Sequence, residues 1–221
     1  MKREIITTGD GSNSINIPEW KEQYHSKHGA LQEALHVFID MGLKDTLSRK
    51  QDSKSPVSIL EYGLGTGLNA MVTAQFETDY PIEYTAVEAY PVTLEEAELV
   101  NYGELLKNIP LYINLHKADW EKQVELTNNF TINKQQKKFQ AINDNAVFDL
   151  IYYDAFGPRV QPNLWTVDIF KGAYKALKPG GILVTYCAQG QARRNMIEVG
   201  FTVEKLEGPP GKREMLRARK A

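Results

Sequence analysis

The stretch "VSILEYGLGTGLNAMVTAQFE" (57–77) decides the fold. It opens as a short β-rich run, VSILEYG, which carries Glu61 near its end. Glycines follow at alternate positions, Gly63, Gly65 and Gly67, and the next residues repeat apolar side chains at helical spacing. A strand that turns through glycines into a helix is the first half of a βαβ unit. Downstream the alternation continues. "IEYTAVEA" (82–89) reads as a second strand, and "TLEEAELVNYGELL" as a helix with Thr93 and Glu96 placed for a capping box. "LYINLHKADW" (111–120) alternates and predicts a third strand, and the polar segment 121–147 predicts a helix and an insertion. "FDLIYYDAF" (148–156) is a fourth strand, and "TVDIFKGAYKAL" is a helix stopped by "KPGG". "GILVTYC" (181–187) is a fifth strand, and "GQARRNMIEVG" is a helix ending at Gly200. "FTVEKLEG" and "REMLRAR" are joined by "GPPGK", too short for a parallel crossover, so they pair antiparallel.

The expected fold class is therefore α/β: a Rossmann-like, mostly parallel seven-stranded sheet with an antiparallel C-terminal hairpin. Upstream, "EIITTGDGSNSINI" places β-rich flanks around the turn dipeptide Asp10-Gly11. "GALQEALHVFIDMGL" (29–43) repeats Leu31, Leu35, Phe38 and Ile39 as a helix does, and "SRKQDSKSP" (48–56) reads as a linker. Residues 1–50 are thus expected to form a small hairpin-helix extension packed on a main domain of residues 51–221.

Bulk composition narrows the function classes. The 221 residues are 42% hydrophobic and 24% charged, an ordinary balance for a globular chain. Cys187 is the single cysteine, which excludes an internal disulfide and a cysteine-rich metal site, so no metal is expected. The first residues lack the apolar run of a signal peptide, and the apolar stretches are strand-length. The expectation is a cytoplasmic protein without a membrane partner. Net charge is −2, yet residues 171–221 carry +7 and the rest −9. A basic end on an acidic body can hold a polyanion locally, although each charge alone is consistent with a solvated surface.

In a doubly wound sheet ligands bind beyond the carboxyl ends of the strands. Acidic residues recur there: Glu61, Glu88, Asp119 and Asp154. Glycines let backbone approach a ligand closely, an acid after the second strand can accept from both hydroxyls of a ribose, and Asp119 with Trp120 would hold and flank an adenine. A dinucleotide fingerprint fits poorly, because its third glycine falls on Leu68. The order E-x-G-x-G-x-G instead resembles S-adenosylmethionine-dependent methyltransferases, with Glu61 toward the methionyl part and Thr66 and Asn69 in the same segment. Asp154, followed by Ala155-Phe156-Gly157-Pro158, is the candidate catalytic residue. A neutral amine is needed for methyl transfer, and a carboxylate can orient it and take its proton. The plainer role for Asp154 is to bond the loop backbone.

A more specific resemblance covers nearly the whole chain. "TTGDGSNSINIPEWKEQYHSKHGALQEALHVFI", "LEYGLGTGLNA", "DAFGPRVQPNLWT", "LKPGGILVTYCAQGQARRNMIEVGF" and "GPPGKREML" resemble the methyltransferase domain of the MnmC family. The resemblance implies a class I methyltransferase fold and S-adenosyl-L-methionine as cofactor. It implies methylation of the 5-aminomethyl group on the wobble uridine 34 of tRNA, often 2-thiolated. It also implies a stand-alone form without the family's FAD-dependent oxidase domain, the aminomethyl precursor then coming from a separate oxidase or another route. By the same resemblance Tyr24, His25, Gly29 and Glu33 would wall the cofactor. Phe156, Pro158 and Trp165 would receive a flipped base, and Arg193, Arg194, Lys212, Arg213, Arg217 and Arg219 would meet phosphates. Gln161 stands where the family has Asn. The alternatives are a small-molecule N- or O-methyltransferase and a non-catalytic binding module of the same fold.

Overall fold

The computed structural model describes residues 3–50 and 55–221, so residues 51–54 of the expected linker lie outside the described residues. The chain opens with β1 (Glu4–Thr7), β2 (Asn13–Ile17) and β3 (Glu22–Gln23), a small antiparallel sheet in that order. The β1–β2 connection holds Asp10-Gly11, as the turn dipeptide predicts. One helical rod follows: α1 (Ala30–Ala34), a π-wound middle (Leu35–Leu43) and α2 (Lys44–Arg49). The remaining elements are β4 (Val57–Tyr62), α3 (Leu68–Ala74), β5 (Ile82–Val87), α4 (Leu94–Glu98), α5 (Tyr102–Leu105), α6 (Ile109–Lys117), β6 (Gln123–Thr127) and β7 (Phe130–Gln135). They are completed by β8 (Phe148–Tyr153), α7 (Val167–Ala176), β9 (Leu177–Thr185), α8 (Gly190–Val199), β10 (Thr202–Glu207) and β11 (Glu214–Arg219).

Among the described residues the main sheet has eight strands, in the order β10-β11-β9-β8-β4-β5-β7-β6. The five inner strands from β9 to β7 run parallel, and β6 and the β10–β11 hairpin pair antiparallel. Every residue of β4 is buried, as a central parallel strand covered on both faces requires. In β8 the period of two divides the side chains. Leu150 and Tyr152 enter the core beneath the N-terminal rod, while Ile151 and Tyr153 enter the core beneath α7 and α8. The α4 capping box forms, with the Glu96 amide donating to Thr93 Oγ1 at 3.2 Å and the Thr93 amide to Glu96 Oε2 at 3.0 Å.

Two sequence expectations are overturned, and together they change the strand count from seven to eight. Residues 111–120 are not a strand. Ile109–Lys117 is helix α6, started by Asn108, whose side chain accepts from the Leu111 amide at 3.1 Å, with Pro110 in the first turn. Leu111, Tyr112 and Leu115 share one buried helical face, while Leu111, Ile113 and Leu115 alternate, so the short run fits both periods. Residues 121–147 are not a helix and an insertion. They contain the β6–β7 hairpin, in which Phe130, Ile132 and Lys134 alternate inward. β7, not 111–120, is the next parallel strand after β5, and the two pair directly.

The N-terminal rod lies directly on the sheet. Phe38 packs on Tyr152 at 5.0 Å between ring centroids. A Cβ on Gly42 would meet Val184 Cγ2 at 3.0 Å, so the glycine permits the close approach. Arg217 on β11 ties α2 in place, donating to Asp45 Oδ1 and Glu204 Oε2, both at 2.9 Å. Phe38→Ala is expected to lower stability by about 3–5 kcal/mol, because the cavity opens in a packed layer. A urea titration checks this, with a lowered midpoint and an unchanged slope expected.

Candidate active site

The chain leaves β4 toward β5 on one side and later returns to β8 on its other side, so β4 is the switch point of the sheet. A cavity of about 380 Å³ opens at that point, within the range of ligand sites. Its lining includes Gly63 and Gly65 after β4, Glu88 after β5, Phe139 after β7, and Asp154 and Phe156 after β8. Trp20 and Tyr24 close it from the N-terminal segment.

The glycines serve the cavity sterically. Gly63 has φ +93°, and a Cβ there would stand 3.0 Å from the Asp154 carbonyl oxygen. Gly65 has φ +52°, and a Cβ there would stand 3.0 Å from the Tyr24 ring. Only glycine keeps both the left-handed turn and the free space. Glu88 holds this loop while facing the cavity: its carboxylate accepts from the Gly65 amide at 3.1 Å and the Tyr90 amide at 2.8 Å.

Two carboxylates on adjacent strands are joined by one amide. Asn69 Nδ2 on α3 donates to Glu61 Oε1 at 3.0 Å and to Asp154 Oδ2 at 2.8 Å. Glu61 is fully buried, and its Oε2 has no partner. Burial pushes its carboxyl well above the usual range, against the lowering effect of the Asn69 bond, and the Asp154 charge adds to the rise. Asp154 reaches the cavity. Burial and then the Glu33 charge push it up to about 7, while the Asn69 bond and Lys212 draw it down. This is a carboxyl poised to exchange a proton at neutral pH.

A second group of contacts clamps the glycine loop. Thr66 Oγ1 meets His25 Nε2 at 2.7 Å, and the Thr66 carbonyl accepts from Tyr112 Oη at 2.8 Å and His116 Nε2 at 3.2 Å. Burial draws both histidines down to about 4, so they hold these bonds as neutral rings. Beyond them Lys134 is buried and donates to the Leu115 and His116 carbonyls at 2.9 and 2.7 Å.

The structure brings together most of the residues the sequence singled out and separates others. Tyr24, His25, Gly63, Gly65, Glu88, Asp154 and Phe156 line the cavity, and Thr66, Gly67 and Asn69 support it from beneath. Glu61 does not line the cavity; it is fully buried beneath it and bonds to Asn69. Asp119 and Trp120 are not in the cavity, because their segment ends a helix rather than a strand. Asp119 is exposed and pairs with Lys122 at 2.8 Å, and the Trp120 ring lies 4.9 Å from Lys134 Nζ. Lys138, Phe139 and Gln140 occupy the corresponding place beyond β7. Gly29 is not at the cavity either; it starts α1, where a Cβ would meet the Asp10 carboxylate.

Trp165 does not wait for a base. It is 3% exposed, donates to the Phe156 carbonyl at 2.8 Å and packs edge-on to Tyr153, bracing the loop from behind. Arg217 and Arg219 are held by Asp45 rather than presented to a phosphate. Arg193, Arg194 and Arg213 stand on or near the surface, and Pro158 sits in the turn closed by the Val160 and Gln161 amides on the Gly157 carbonyl.

Glu33 and Lys212 line a second cavity of about 290 Å³, which shares Tyr24, His25 and Phe156 with the first. Lys212 Nζ is ion-paired to Glu33 Oε2 and stands 3.9 Å from the Tyr186 ring centroid.

A switch-point cavity with a glycine loop and an acid after the second strand is the ligand site of a Rossmann-like fold. A profile of the S-adenosyl-L-methionine-dependent methyltransferase family matches residues 95–221, more than half of the chain, and the chain belongs to that family. It is 27% identical over 218 residues to the tRNA 5-methylaminomethyl-2-thiouridine biosynthesis bifunctional protein MnmC of Burkholderia multivorans, a match covering 90% of this chain and 32% of that protein. It is 26% identical to an uncharacterised protein of Methanocaldococcus jannaschii, covering 98% of this chain and 59% of the relative. The chain thus spans about a third of the first relative's length and three fifths of the second's. Its fold is similar to that of the crystal structure of MNMC2 from Aquifex aeolicus, with a TM-score of 0.75, 22% identity and coverage of 98% of this chain and 69% of that one.

The residues present fit the family's cofactor. Glu88 lines the cavity with a carboxylate that would accept from ribose hydroxyls, and the glycine loop leaves the space a Cβ would fill. Among the described residues there is no group of three or more metal-ligating side chains, and no helix is long and apolar enough to cross a membrane.

Two outcomes follow. Glu88→Ala is expected to weaken S-adenosylmethionine binding by about 10- to 100-fold, the loss of charge-assisted hydrogen bonds, as read by calorimetry. The second concerns pH. The native Asp154 carboxyl titrates near 7 against 3.8 when unfolded, so the native state retains a proton that the unfolded chain has lost. That contribution is complete below the unfolded value and is lost as pH rises through the native one. Melting temperature is expected to fall between about pH 4 and 7 in the wild type and to fall less in Asp154→Asn.

Proposed function

We propose that the protein uses S-adenosylmethionine to methylate the nitrogen of a 5-aminomethyl group on uridine or 2-thiouridine at position 34 of tRNA. The observation that carries this reading is Asp154, a cavity-facing carboxyl held near neutrality by burial and by Glu33. A primary amine arrives as an ammonium ion and has no lone pair until it loses a proton. A base with a pKa near the working pH takes that proton most effectively. The tRNA substrate is supported by the relatives, whose names give tRNA 5-methylaminomethyl-2-thiouridine biosynthesis.

When bound, the cofactor supplies a methyl group activated by a sulfonium. The chain's residues supply alignment and the proton acceptor. Glu88, Gly63 and Gly65 fix the nucleoside end, and the Thr66 clamp keeps that loop from moving. Phe156 meets Tyr24 at 5.0 Å and Trp20 at 5.4 Å, both edge-on, and these rings wall the approach to Asp154. Trp165 and the Gly157–Gln161 turn keep Phe156 in place. Asp154 then orients the incoming nitrogen and accepts its proton, and proximity does the rest. The free amine has to be unmasked before this step, a task we assign to an FAD-dependent oxidase activity.

Tritiated-methyl transfer to tRNA bearing 5-aminomethyl-2-thiouridine, followed by nucleoside mass spectrometry, tests the reading. Asp154→Asn is expected to retain cofactor binding and to lose about 100-fold or more in turnover. The wild-type rate is expected to rise through pH 7 as the carboxyl ionises. Methylation of a free metabolite in place of the tRNA, or full turnover by the variant, overturns it.

A further inference from the structure

Lys212 belongs to the basic C-terminal part but borders the second cavity. Its ammonium turns inward, against the buried carboxylate of Glu33 and over the face of Tyr186. Tyr186 is fixed in turn by its hydroxyl, which donates to the Ala155 carbonyl at 2.8 Å, one residue beyond Asp154. A carboxylate joined to an aromatic face is the chemistry that recognises an ammonium ion. The site already holds one, a primary ammonium on an alkyl stem, which is the chemical form of a protonated aminomethyl arm.

We propose that Glu33 and the ring face of Tyr186 form the receptor for the substrate's ammonium group, and that Lys212 occupies this receptor in the free protein as an internal plug. The inference rests on the amine-methyltransferase reading and names the subsite that reading leaves open. The second cavity, in which Glu33, Tyr186 and Lys212 meet, adjoins the cofactor cavity across Tyr24, His25 and Phe156. An amine seated there is next to the segment that carries Asp154 and borders the cofactor cavity along those shared residues.

Charge balance favours an exchange. Removing Lys212 alone would leave the Glu33 carboxylate buried and unpaired, a costly state. An incoming ammonium removes that cost, whereas a neutral hydroxymethyl or methyl group does not. Lys212 can leave because it sits on the β10–β11 hairpin loop, beside Gly211 with φ +84°. Once released, its ammonium joins Lys27 and His28 around the second cavity, where it can meet a nucleic-acid phosphate. The other charged or titratable groups facing this region are Glu22 and His25 from the N-terminal segment and Asp154 from the end of β8, with Glu61 and Glu88 behind it.

The test uses free 5-aminomethyluridine and 5-hydroxymethyluridine as probes, titrated calorimetrically with S-adenosylhomocysteine present. Wild type, Lys212→Met and the double variant Lys212→Met with Glu33→Gln are compared, each first shown by thermal shift to bind S-adenosylmethionine. Lys212→Met is expected to bind the aminomethyl nucleoside about tenfold more tightly than wild type, with no gain for the hydroxymethyl nucleoside. Adding Glu33→Gln is expected to remove the gain. Equal binding by wild type and Lys212→Met, or a gain that survives Glu33→Gln, overturns the receptor. If the nucleoside behaves as expected but aminomethyl tRNA is not methylated, the receptor stands and the tRNA reading falls. Methylated tRNA with no Glu33-dependent binding overturns the receptor alone.

Discussion

One side-chain amide joins the fold to its chemistry. Asn69 donates both of its hydrogens to carboxylates, Glu61 on β4 and Asp154 just after β8. These strands are neighbours only because the chain reverses its winding at β4. The reversal opens the cavity, brings two acids to adjacent strand ends and leaves α3 to supply the amide between them. Glu61, fully buried and beside the Asp154 charge, is held well above the usual carboxyl range, while Asp154 is pushed up by its own burial and the Glu33 charge. The shifted carboxyl is thus a consequence of topology and burial together.

The N-terminal segment completes the site. His25 bonds Thr66, Tyr24 packs against Gly65, and the rod from α1 to α2 covers the sheet and presents Glu33. Tyr112, His116 and Lys134 hold the glycine loop from the opposite side. The loop carrying three positive-φ glycines is therefore braced by buried bonds from two sides. Such bracing is what a transfer reaction requires, since small misplacements of the reacting atoms slow it steeply.

Much of this was legible in the sequence because the informative residues are local. VSILEY, the alternate glycines, Glu88 at the end of the second strand and the FDLIYYD run each announce their place. The third strand was not legible, since Leu111, Ile113 and Leu115 alternate while Leu111, Tyr112 and Leu115 form a helical face, and so short a run satisfies both periods. That error carried Asp119 and Trp120 into the site and left out Tyr112, His116 and Phe139. The alternation of Phe130, Ile132 and Lys134 was a visible signal for β7, masked by the polar residues between them. Trp165 and Arg217 illustrate a different limit. An aromatic or a cation near a site reads as a contact surface until the structure shows the Phe156 carbonyl and Asp45 already holding it.

The central claim is that Asp154 is a proton acceptor poised near neutral pH by its surroundings. Carbon-13 NMR of the aspartate side-chain carboxyls, with the signal assigned by its loss in Asp154→Asn, follows that single group through a titration. The account predicts a midpoint near 7 in the wild-type protein. A midpoint near 3.8, the value of an unperturbed aspartate, would contradict it.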